Sequence, residues 1–584
     1  MLWGCFRVAP VFNFNSTPRR LAHSPRKGTY KRGMISDTHM KEGSCMVEFR
    51  HRLPAMKLDG VHYNGTYNNR ELGFPSILTT LDPKLGLFLH TLRSNIYEDR
   101  SLVFIDGKIL MTDKNWIRDH VHIMKAMRHW EYDLKSFLDF IIDTQRADGQ
   151  FYELIKQMDD VHWSFVNEDC RVFYPEDNLS LVRLELEADI EYLVVEGAFY
   201  LYKTTGDDAW LRSVLPKLEK GINYITSDAK RWDSERGLVK RPFTIDTWDF
   251  TCLTDASTNR RIEDGTPMSV MHGDNSGVYQ AMRQLAWFNR RLGCEEKAKA
   301  WEARAAKLRE NIFKYLWNGR FFIHQLHLNH SGIDDREAER LSLSNAYDIN
   351  RGLTDVGKSR SIIAEYIARR EKTDCFAEWF TVDPPYEKFF IYPKGRYVNG
   401  ALSPFTAGEL AKAAFNNGYE EYGWSIIERF MALVERDKTV YFLYNTDSTP
   451  QPDGGPSAWG AAALISAIDE GLAGINDIGA NYDEILFAPK FPVTNYTELR
   501  YLTGYEFSKK LVDVRYILTS EGMRYDVLSP AKRIHAHILL PKDRTYSKMY
   551  INGQETPFTT ETIGQSVYLN ASAQADGKIS FIME

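Results

Sequence analysis

Residues 185–225, ELEADIEYLVVEGAFYLYKTTGDDAWLRSVLPKLEKGINYI, contain two apolar helical segments separated by a single glycine turn. The pattern predicts one helix over Glu185–Thr204 and a second over Ala209–Ile225. Between them, Thr205-Gly206-Asp207 has the residue types that end one helix and begin the next. Glycine adopts the left-handed conformation after a helix without steric cost, and an acidic residue favours the following helix N-terminus. The stretch therefore predicts an antiparallel helical hairpin with a short loop.

The same pattern, a glycine soon followed by an acidic residue, recurs at Leu292-Gly293-Cys294-Glu295 and at Asn417-Gly418-Tyr419-Glu420. Roughly ten to twelve candidate helices follow one another in the central part of the chain, which indicates a mainly α protein. Such hairpins can form a bundle, a solenoid or a closed double ring, and the lack of a short repeat argues against a regular solenoid. Long insertions at 230–272 and 372–403 favour a ring with loops over one mouth. Besides the first hairpin, the predicted helices are Arg118–Gln145, Gly277–Leu292, Glu295–Leu316, Pro404–Asn416, Glu420–Glu435 and Ser457–Ala473.

The two ends of the chain differ from the helical centre. Before Asp37 the chain has several basic residues and no acidic one, so residues 1–44 predict a basic leader. This leader is either an organelle transit segment or an extension upstream of a start at Met34. Residues 45–110 have a mixed pattern, with a strand predicted at Ser101–Ile105. From 479 to 584, alternating apolar residues indicate a small antiparallel, sandwich-like β domain.

The composition of the 584 residues excludes several classes of protein. Hydrophobic residues at 43% and charged residues at 26% are typical of a globular chain, and a net charge of −6 gives no general attraction to nucleic acid. No apolar run approaches the roughly 20 residues that a membrane-spanning helix needs. The six scattered cysteines exclude a dense disulfide framework and paired-cysteine zinc sites. The 13% aromatic content suits a carbohydrate cleft, although most of these rings are expected in the core.

Two short segments carry residues suited to sugar chemistry. Trp116, Arg118 and Asp119 stand at the start of a predicted helix, where a guanidinium and a carboxylate together can bind sugar hydroxyls. The plain alternative is a surface arginine and an aspartate that stabilises the helix N-terminus.

The second segment is the loop that contains Asp246, Trp248 and Asp249. Apolar neighbours raise the pKa of a carboxyl group, as a general acid that works near neutral pH requires. The alternative is that the acids cap helices and the aromatic rings are buried.

Further candidates stand on later loops. Glu378 has aromatic neighbours, Asn399 lies in Tyr397-Val-Asn399-Gly400, and Asp447 and Asp453 belong to a Gly- and Pro-rich loop that leads to Trp459. An ordinary connector is the alternative reading of that loop. The chain has no GxGxxG, Walker A, HExxH or GxSxG motif, so nucleotide-binding, zinc-protease and serine-hydrolase functions lack their signatures.

Taken in order, these segments resemble the six-hairpin, or (α/α)6-barrel, glycosidases: glucoamylases, trehalases and glycogen-debranching amylo-1,6-glucosidases. Asn115–Asp119 is similar to the Trp-x-Arg-Asp segment of the debranching enzymes, and Thr247–Phe250 is similar to the Gly-Trp-Asp-Phe of trehalases. Asn275-Ser276 resembles the start of the next inner helix, Tyr397–Gly400 resembles the trehalase Tyr-Pro-Asn-Gly, and Gly454–Gly460 resembles the lead into the last helix. The resemblance implies a catalytic barrel over residues 111–478.

The resemblance also implies an inverting glycoside hydrolase that needs no metal or cofactor. Asp249 is then the general acid, in preference to Asp246, while Arg118 and Asp119 hold hydroxyls of the sugar. The expected substrate is an α-linked oligosaccharide cleaved from its end, with neither nucleic acid nor membrane as a partner; the oligomeric state is left open. The expected location is cytoplasmic, with organelle import as the alternative. The other implied substrate-binding residues are Trp116, Trp248, Asp246, Asn275, Asn399, Glu378 and Trp459.

One position departs from the family pattern. The relatives carry a base glutamate two residues before a Tyr-Asp pair, and aligning Tyr444-Asn445 with that pair places Phe442 at the base position. Asp447 is the first candidate for a relocated base, with Asp453 and Glu378 behind it. Without a base, the chain would be an inverting disaccharide phosphorylase, in which phosphate replaces the activated water. A non-catalytic sugar-binding protein on the same fold is the remaining alternative.

Overall fold

The computed structural model describes residues 57–58, 61–62, 78–80, 82–159, 170–246, 262–452 and 455–584. The predicted leader, residues 1–44, lies outside the described residues, and so do Trp248, Asp249 and Asp453. The chain divides into two units, residues 1–76 and residues 77–584. In the first unit the described residues form one antiparallel pair, β1 (Lys57–Leu58) with β2 (Val61–His62).

Helices dominate the first two thirds of the second unit. The glycine turn of the first hairpin is confirmed: Gly206 has a φ of 64°, and its N–H donates to the carbonyl of Tyr202 at 2.7 Å. Asp207 then caps the next helix by accepting from the N–H of Trp210 at 2.9 Å. The described helices are α1 (Pro83–Asp99), α2 (Ile117–Met127), α3 (Ser136–Asp143), α4 (Ile190–Thr205), α5 (Asp208–Ile225), α6 (His272–Arg291), α7 (Glu295–Leu316), α8 (Ser344–Asn350), α9 (Val356–Glu371), α10 (Pro404–Phe415), α11 (Glu420–Asp437) and α12 (Ala458–Ser466).

The even-numbered helices form an inner set and the odd-numbered helices pack outside them. α2 contacts α4, the contacts continue through α6, α8, α10 and α12, and α12 contacts α2. The inner helices are buried nearly all round, and all nine residues of α12 are buried. An outer helix has a single apolar face instead. In α7, for example, the buried residues are three or four positions apart: Ala298, Trp301, Ala305, Leu308, Ile312 and Leu316.

Four predicted helices differ from the observed ones. The helix predicted from Glu185 begins only at Ile190, as α4, and the helix predicted from Gly277 begins earlier, at His272, as α6. The expected single helix Arg118–Gln145 is wrong, because α2 ends at Met127 and α3 begins at Ser136. Oδ1 of Asp133 accepts from the N–H groups of Lys135 and Ser136 at 3.2 and 2.8 Å, which stabilises a turn directly before α3. The predicted helix Ser457–Ala473 is α-helical only to Ser466 and continues as a π-helical turn, Ala467–Leu472.

The connections at the two ends of the helices differ in length. An inner helix leads to the next outer helix through short segments such as 206–207, 292–294 and 416–419. The return from an outer helix to the next inner helix takes the long segments 144–189, 226–271, 317–343, 372–403 and 438–457. Each long segment precedes the N-terminus of an inner helix, so these segments share one end of the helices, which we name the mouth. Long loops on a rigid scaffold are a typical place for binding and catalysis.

Short antiparallel strands brace the mouth loops. Their pairings are β4–β5, β6–β8–β7, β9–β10, β11–β12–β13, β14–β15 and β16–β17. The predicted strand at Ser101–Ile105 is confirmed within β4. The strands of the mouth loops are β4 (Arg100–Ile105), β5 (Lys108–Asp113), β6 (Leu154–Gln157), β7 (Arg171–Tyr174), β8 (Leu179–Val182), β9 (Trp232–Asp233), β10 (Leu238–Val239), β11 (Arg241–Pro242), β12 (Met268–Met271), β13 (Gln325–His327), β14 (Leu341–Ser342), β15 (Val382–Asp383), β16 (Lys388–Phe389) and β17 (Tyr392–Pro393).

The C-terminal region consists of two sheets, as its alternating pattern predicts. One has the order β18-β19-β23-β27-β26 and the other β25-β24-β28-β22-β21-β20-β3; all pairs are antiparallel except β19 with β23. The ring of Phe487 in the first sheet lies 5.4 Å from Tyr525 and 6.1 Å from Phe581 in the second, so the sheets pack face to face. None of the described helices is long and apolar enough to cross a membrane. The strands are β3 (Thr79–Thr80), β18 (Ile475–Asp477), β19 (Glu484–Phe487), β20 (Glu498–Tyr505), β21 (Lys510–Leu518), β22 (Met523–Leu528), β23 (Arg533–Leu539), β24 (Met549–Ile551), β25 (Gln554–Glu555), β26 (Thr559–Ile563), β27 (Ser566–Gln574) and β28 (Lys578–Met583).

Candidate active site at the mouth

The N-terminal ends of the inner helices carry acidic side chains at the mouth. Asp119 lies in the first turn of α2 and Asp274 in the first turn of α6, while Asp189 is the N-cap residue of α4. The unpaired N–H groups and the dipole of a helix N-terminus favour negative charge at such positions. The mouth therefore collects carboxylates from neighbouring inner helices.

Arg118 is a buried guanidinium fixed by two carboxylates, those of Asp189 and Glu187. Its Nε donates to Oδ2 of Asp189 at 2.6 Å and its Nη2 to Oδ1 of Asp189 at 2.9 Å, and Nη2 also donates to Glu187. Bidentate pairing of this kind is strong and directional. Burial raises the pKa of Asp189, but the charge and hydrogen bonds of Arg118 together with the charges of Arg241 and Arg183 lower it more, so the net shift of that pKa is downward. Arg118 thus ties α2 to the start of α4 with two of its three guanidinium nitrogens.

Arg241 extends the charge network to α6. Its Nη2 lies 3.4 Å from Oε2 of Glu187, and its Nη1 lies 3.3 Å from Oδ1 of Asp274. Asp274 is fully buried, and burial raises its pKa to about 6 although the charge of Arg241 opposes the shift. Oδ2 of Asp274 has no hydrogen-bond partner within the described part of the chain. The network thus contains a carboxyl group that titrates near pH 6.

Asp119 is the more accessible carboxyl of the site. Its side chain is half-buried, and the hydrogen bond that holds it comes from its own backbone N–H. Burial raises its pKa to about 6, against the opposing charges of Arg118 and Lys114. A reachable carboxyl with this pKa suits proton transfer near neutral pH.

Asp246 is held rigidly beneath the mouth. Its Oδ2 accepts from Oγ of Ser342 at 2.9 Å and from the N–H of Ser344 at 3.3 Å. Its own N–H donates to Nε2 of His324 at 3.4 Å. Gly273 lies so close that a Cβ there would come within 2.7 Å of Oδ1 of Asp246. These contacts fix the point at which the chain passes into residues 247–261.

His272, at the start of α6, lies between the carboxylate of Asp348 and the hydroxyl of Ser342. Its Nδ1 lies 2.6 Å from Oδ2 of Asp348 and its Nε2 lies 2.7 Å from Oγ of Ser342. The single hydroxyl hydrogen of Ser342 goes to Asp246, so Nε2 of His272 must donate to the serine oxygen. Nδ1 also donates, because its partner is a carboxylate. Burial lowers the pKa of His272, but the charge and hydrogen bond of Asp348 together with the charge of Asp246 raise it more, so the net shift of that pKa is upward.

Asn275 and Asn399, two predicted binding residues, form hydrogen bonds with the backbone through their side-chain amides. Oδ1 of Asn275 accepts from the N–H of Val239, and its Nδ2 donates to the carbonyls of Val239 and Met271. Oδ1 of Asn399 likewise accepts from the N–H of Tyr386, at 2.9 Å, and its Nδ2 donates to the carbonyls of Tyr386 and Tyr392. Both amides therefore fasten mouth loops.

The predicted tryptophans differ in their surroundings. Trp459 is buried on α12, and its indole N–H donates to Oη of Tyr347 at 3.0 Å. His122 stacks on Trp459 at 4.2 Å and 8°, and Phe405 stacks on it at 4.7 Å and 25°. Trp116 is half-buried at the start of α2.

Glu378 and Asp447, the remaining described candidates, both accept hydrogen bonds from other side chains of the protein. Glu378 is buried against α11, where Arg429 donates to its two oxygens at 2.8 and 2.9 Å and Tyr422 also donates to it. Asp447 is exposed, and its Oδ1 accepts from Oγ1 and the N–H of Thr449 at 2.6 and 2.9 Å. These two hydrogen bonds lower the pKa of Asp447.

The structure joins Arg118 and Asp246 to residues that the sequence analysis did not select. Glu187 had a visible signal, because it is one of the acids directly before an apolar helix. Arg241 and His272 had no such local signal. Glu187, which Arg241 contacts, is 54 residues away in the chain, and Asp348, which His272 contacts, is 76 residues away. No group of three or more His, Cys, Asp or Glu side chains is placed to hold a metal ion in the described part of the chain.

Comparison with family models and with curated proteins finds no match. Solved structures do match. A GH78 family rhamnosidase of Bacillus sp. GL1 gives a TM-score of 0.53 at 13% identity, over 79% of this chain and 42% of that chain. The α-L-rhamnosidase from Dictyoglumus thermophilum gives 0.53 at 13% identity, over 87% and 51%. The Streptomyces avermitilis α-L-rhamnosidase complexed with L-rhamnose gives 0.52 at 14% identity, over 87% and 42%.

This chain spans about half the length of these three rhamnosidases. At these identities the likeness shows the fold and not the substrate. The chain has the fold of these rhamnosidases, which confirms, at the level of the fold, the resemblance to glycosidases that the sequence predicted.

Proposed function

We propose that the protein is a glycoside hydrolase on an (α/α)6 barrel, formed by the inner helices α2 to α12 and their outer partners. The observation that carries the proposal is Asp119, a partly enclosed carboxyl group at the mouth whose pKa is raised to about 6 by burial, beside the bidentate pair of Arg118 with Asp189. Groups of this kind transfer protons near neutral pH. The rhamnosidases with the same fold further support a glycosidic bond as the target.

In the proposed mechanism, Asp249 protonates the leaving glycosidic oxygen. Asp246 stands three residues earlier, and its bonds to Ser342 and Ser344 give this segment a fixed starting point. A second carboxylate activates water on the opposite face of the sugar. Inversion requires roughly 6.5–9.5 Å between the two carboxyl groups.

Two residues are candidates for the second carboxylate. Asp447 is favoured by the sequence but is exposed and bonded within its own turn. Asp119 is favoured by its setting, because it is partly enclosed, lies beside the Arg118 network and has a pKa of about 6. The proposed substrate is an α-linked glycoside that enters at the mouth with its sugar against the charge network.

Sugar release from a panel of α- and β-linked oligosaccharides and simple glycosides, with and without phosphate, tests the proposal. We expect turnover without phosphate, a first product of inverted anomeric configuration by NMR, and loss of turnover in Asp249→Asn. Asp143→Asn changes an exposed carboxylate on α3 and is the matched control that keeps full activity. Strict dependence on phosphate would identify a phosphorylase, which Phe442 at the base position favours. Sugar binding without turnover would identify a binding protein.

Asp119→Asn is expected to lower kcat/KM by about 10²-fold, the usual contribution of a positioned acid or base. In the wild type, kcat/KM falls as the pH drops below about 6, because a base works only when deprotonated. The variant has no such carboxyl, so this acidic limb should disappear from its pH profile. An acidic limb that persists unchanged in the variant would leave Asp119 as a sugar-binding residue only.

A further inference from the structure

The turn between β5 and α2 holds two neighbouring residues in a backbone conformation that side chains disfavour. Lys114 has a φ of 57° and Asn115 a φ of 60°, both in the left-handed region. Asparagine tolerates this region, but a lysine in it is uncommon. Such strain persists where the surroundings enforce it, and it is concentrated at functional sites. The strained turn directly precedes the helix that carries Arg118 and Asp119, so it belongs to the mouth.

Hydrogen bonds to Asn115 hold the turn in this conformation. Its Oδ1 accepts from Oγ1 of Thr112 at 2.5 Å. Its carbonyl accepts from the N–H of Ile155, in the neighbouring strand β6, at 3.0 Å. Neither hydrogen bond involves the side chain of Lys114, so they fix the backbone at the base of that side chain and leave its ammonium group for another contact.

The ammonium group of Lys114 is tethered to a carboxylate of α1. Its Nζ lies 2.6 Å from Oδ1 of Asp99, the last residue of that helix. Oδ2 of Asp99 accepts from the N–H of Ala458, the first residue of α12, at 3.2 Å. The side chain of Asp99 is 10% exposed, whereas that of Lys114 is 47% exposed. A nearly buried carboxylate therefore fixes a cation that is itself open to solvent at the mouth.

Stability alone does not explain a lysine at this position. An ion pair whose lysine is half exposed contributes little to stability, because water and salt screen it. The left-handed backbone of a side chain as long as lysine costs at least as much, whereas glycine adopts the same φ without strain. A role for the ammonium group at the mouth accounts for the observed lysine.

The group on which this ammonium acts is Asp119. Asp119 is the third residue of α2, and helix side chains lean towards the N-terminus, which Lys114 precedes. Burial has the largest effect on the pKa of Asp119 and raises it, while the charges of Arg118 and Lys114 lower it. The charge of Asp99 raises that pKa by less than Lys114 lowers it. Since Arg118 is already paired with two buried carboxylates, Lys114 supplies an accessible positive charge beside Asp119.

We propose that Lys114 is a positioning residue of the active site, which keeps the carboxyl group of Asp119 ionised and so able to accept a proton. The inference rests on the proposed function, because it takes Asp119 as the base. A neutral residue in place of Lys114 leaves more of Asp119 protonated at a given pH, and a base that already holds a proton is inactive. Arginine has the same charge and should replace the lysine.

The pH dependence of kcat/KM tests this role during turnover. The acidic limb of the wild type should lie near pH 6. In Lys114→Gly it should move to higher pH by about half to one unit, because an opposite charge is lost from a half-exposed position. At about pH 6 the shift lowers kcat/KM by roughly two- to fivefold, and the loss shrinks as the pH rises. Lys114→Arg should return the limb to its wild-type position.

These variants separate the charge of Lys114 from the backbone of the turn. Lys114→Gly should fold well, because glycine adopts the observed φ without strain. Asn115→Gly is the matched control, since it relieves the same conformation and keeps the lysine, so its acidic limb should stay near pH 6. The other charged groups near Asp119 or its neighbour Asp99 are unchanged in all three variants; they are Asp99 itself, Asp113 and Arg118. A limb that moves as far in Asn115→Gly as in Lys114→Gly overturns the inference.

Labelling with dicyclohexylcarbodiimide measures the same ionisation without turnover. This reagent modifies protonated carboxyl groups, so the labelled fraction of the peptide that carries Asp119 falls as the pH rises through the pKa of that residue. Mass spectrometry quantifies the labelled peptide, and Asp119→Asn provides the blank. The midpoint should be higher in Lys114→Gly than in the wild type, Lys114→Arg and Asn115→Gly.

The two measurements distinguish failure of the inference from failure of the proposed function. A raised labelling midpoint in Lys114→Gly alone supports the action of Lys114 on Asp119, even if no glycoside is hydrolysed and the proposed function fails. Equal midpoints in a protein that hydrolyses glycosides overturn the inference while the proposed function stands. A midpoint that moves while the acidic limb of kcat/KM does not overturns it too, because Asp119 is then not the base that Lys114 serves.

Discussion

Replacement of Arg118 by methionine is expected to lower the free energy of unfolding by about 3–5 kcal/mol at neutral pH. The guanidinium is buried and neutralises Asp189 and Glu187, which are themselves fully buried. Removal of one partner leaves uncompensated charge in a low-dielectric interior, and that cost exceeds the net contribution of the intact pair. Methionine keeps most of the side-chain volume, so the lost stability reflects the unpaired carboxylate charge and not a new cavity. Urea unfolding of wild type and variant measures it.

A compensating variant shows whether charge is the cause. Arg118→Met combined with Asp189→Asn and Glu187→Gln should recover part of the lost stability, because no unpaired charge remains. Arg515→Met, which removes an exposed pair with Glu498, should cost no more than about 1 kcal/mol. If the triple variant is no more stable than Arg118→Met, packing of the arginine rather than its charge holds α2 to α4.

Asp469→Asn is expected to stabilise the protein at about pH 8 by roughly 2–4 kcal/mol and to change little at about pH 4. Asp469 is buried in the π-helical turn after α12, and burial raises its pKa to about 7. The side chain lies where the helices meet the C-terminal sheet, and Tyr501 of β20 donates to its Oδ1 at 3.0 Å. An amide in its place carries no charge at any pH and keeps a hydrogen-bond acceptor for Tyr501.

The neighbouring histidine supports a protonated Asp469. Nδ1 of His129 lies 2.9 Å from the carbonyl of Gly504, which accepts its proton and leaves Nε2 as the acceptor. Nε2 lies 3.6 Å from Oδ2 of Asp469, beyond hydrogen-bonding distance, so the histidine donates no hydrogen bond that would stabilise a carboxylate there. Burial lowers the pKa of His129 to about 3, which keeps the ring neutral.

The sign of the pH effect follows from proton binding. The folded carboxyl of Asp469 binds its proton up to about pH 7, whereas an unfolded one releases it near 3.9. Between about pH 4 and 7 the folded state therefore binds more protons, and stability falls as the pH rises through that window. The variant lacks this dependence, so the two unfolding free energies diverge towards alkaline pH. Equal pH slopes for wild type and variant would contradict a raised pKa for Asp469.

Glu470→Gln is the matched control, because the adjacent carboxylate is shifted in the opposite direction. Burial raises the pKa of Glu470, but Lys412 and Arg128 lower it much more, and both donate hydrogen bonds to it. Its neutralisation should destabilise the protein at neutral pH, where Asp469→Asn stabilises it. At about pH 8 the free energy of unfolding should therefore rise in Asp469→Asn and fall in Glu470→Gln.

Local patterns were reliable for elements that depend on nearby residues. The turn at Gly206 and the helices on either side of it follow from side-chain periodicity and from the conformational freedom of glycine. The alternating strands after residue 479 pack as two sheets for the same reason, since a period of two decides which face is buried. The expected helix Arg118–Gln145 was wrong because the chain turns between α2 and α3, where Asp133 accepts from the N–H of Ser136, and periodicity alone does not reveal this turn.

The sequence by itself determined the order of helical hairpins, the C-terminal sheets, the polar residues that precede the inner helices, and the departure at Phe442. The tertiary structure decided which of those residues meet. In the tertiary structure the amide of Asn399 forms a hydrogen bond with the backbone of Tyr386, in the same mouth loop. Arg241 contacts Glu187, which is 54 residues away in the chain. The physical reason is that burial, charge pairing and hydrogen-bond saturation depend on distances between segments remote in the chain. Propensity and pattern act over a few residues only, so they fix the elements but not the chemistry of the site.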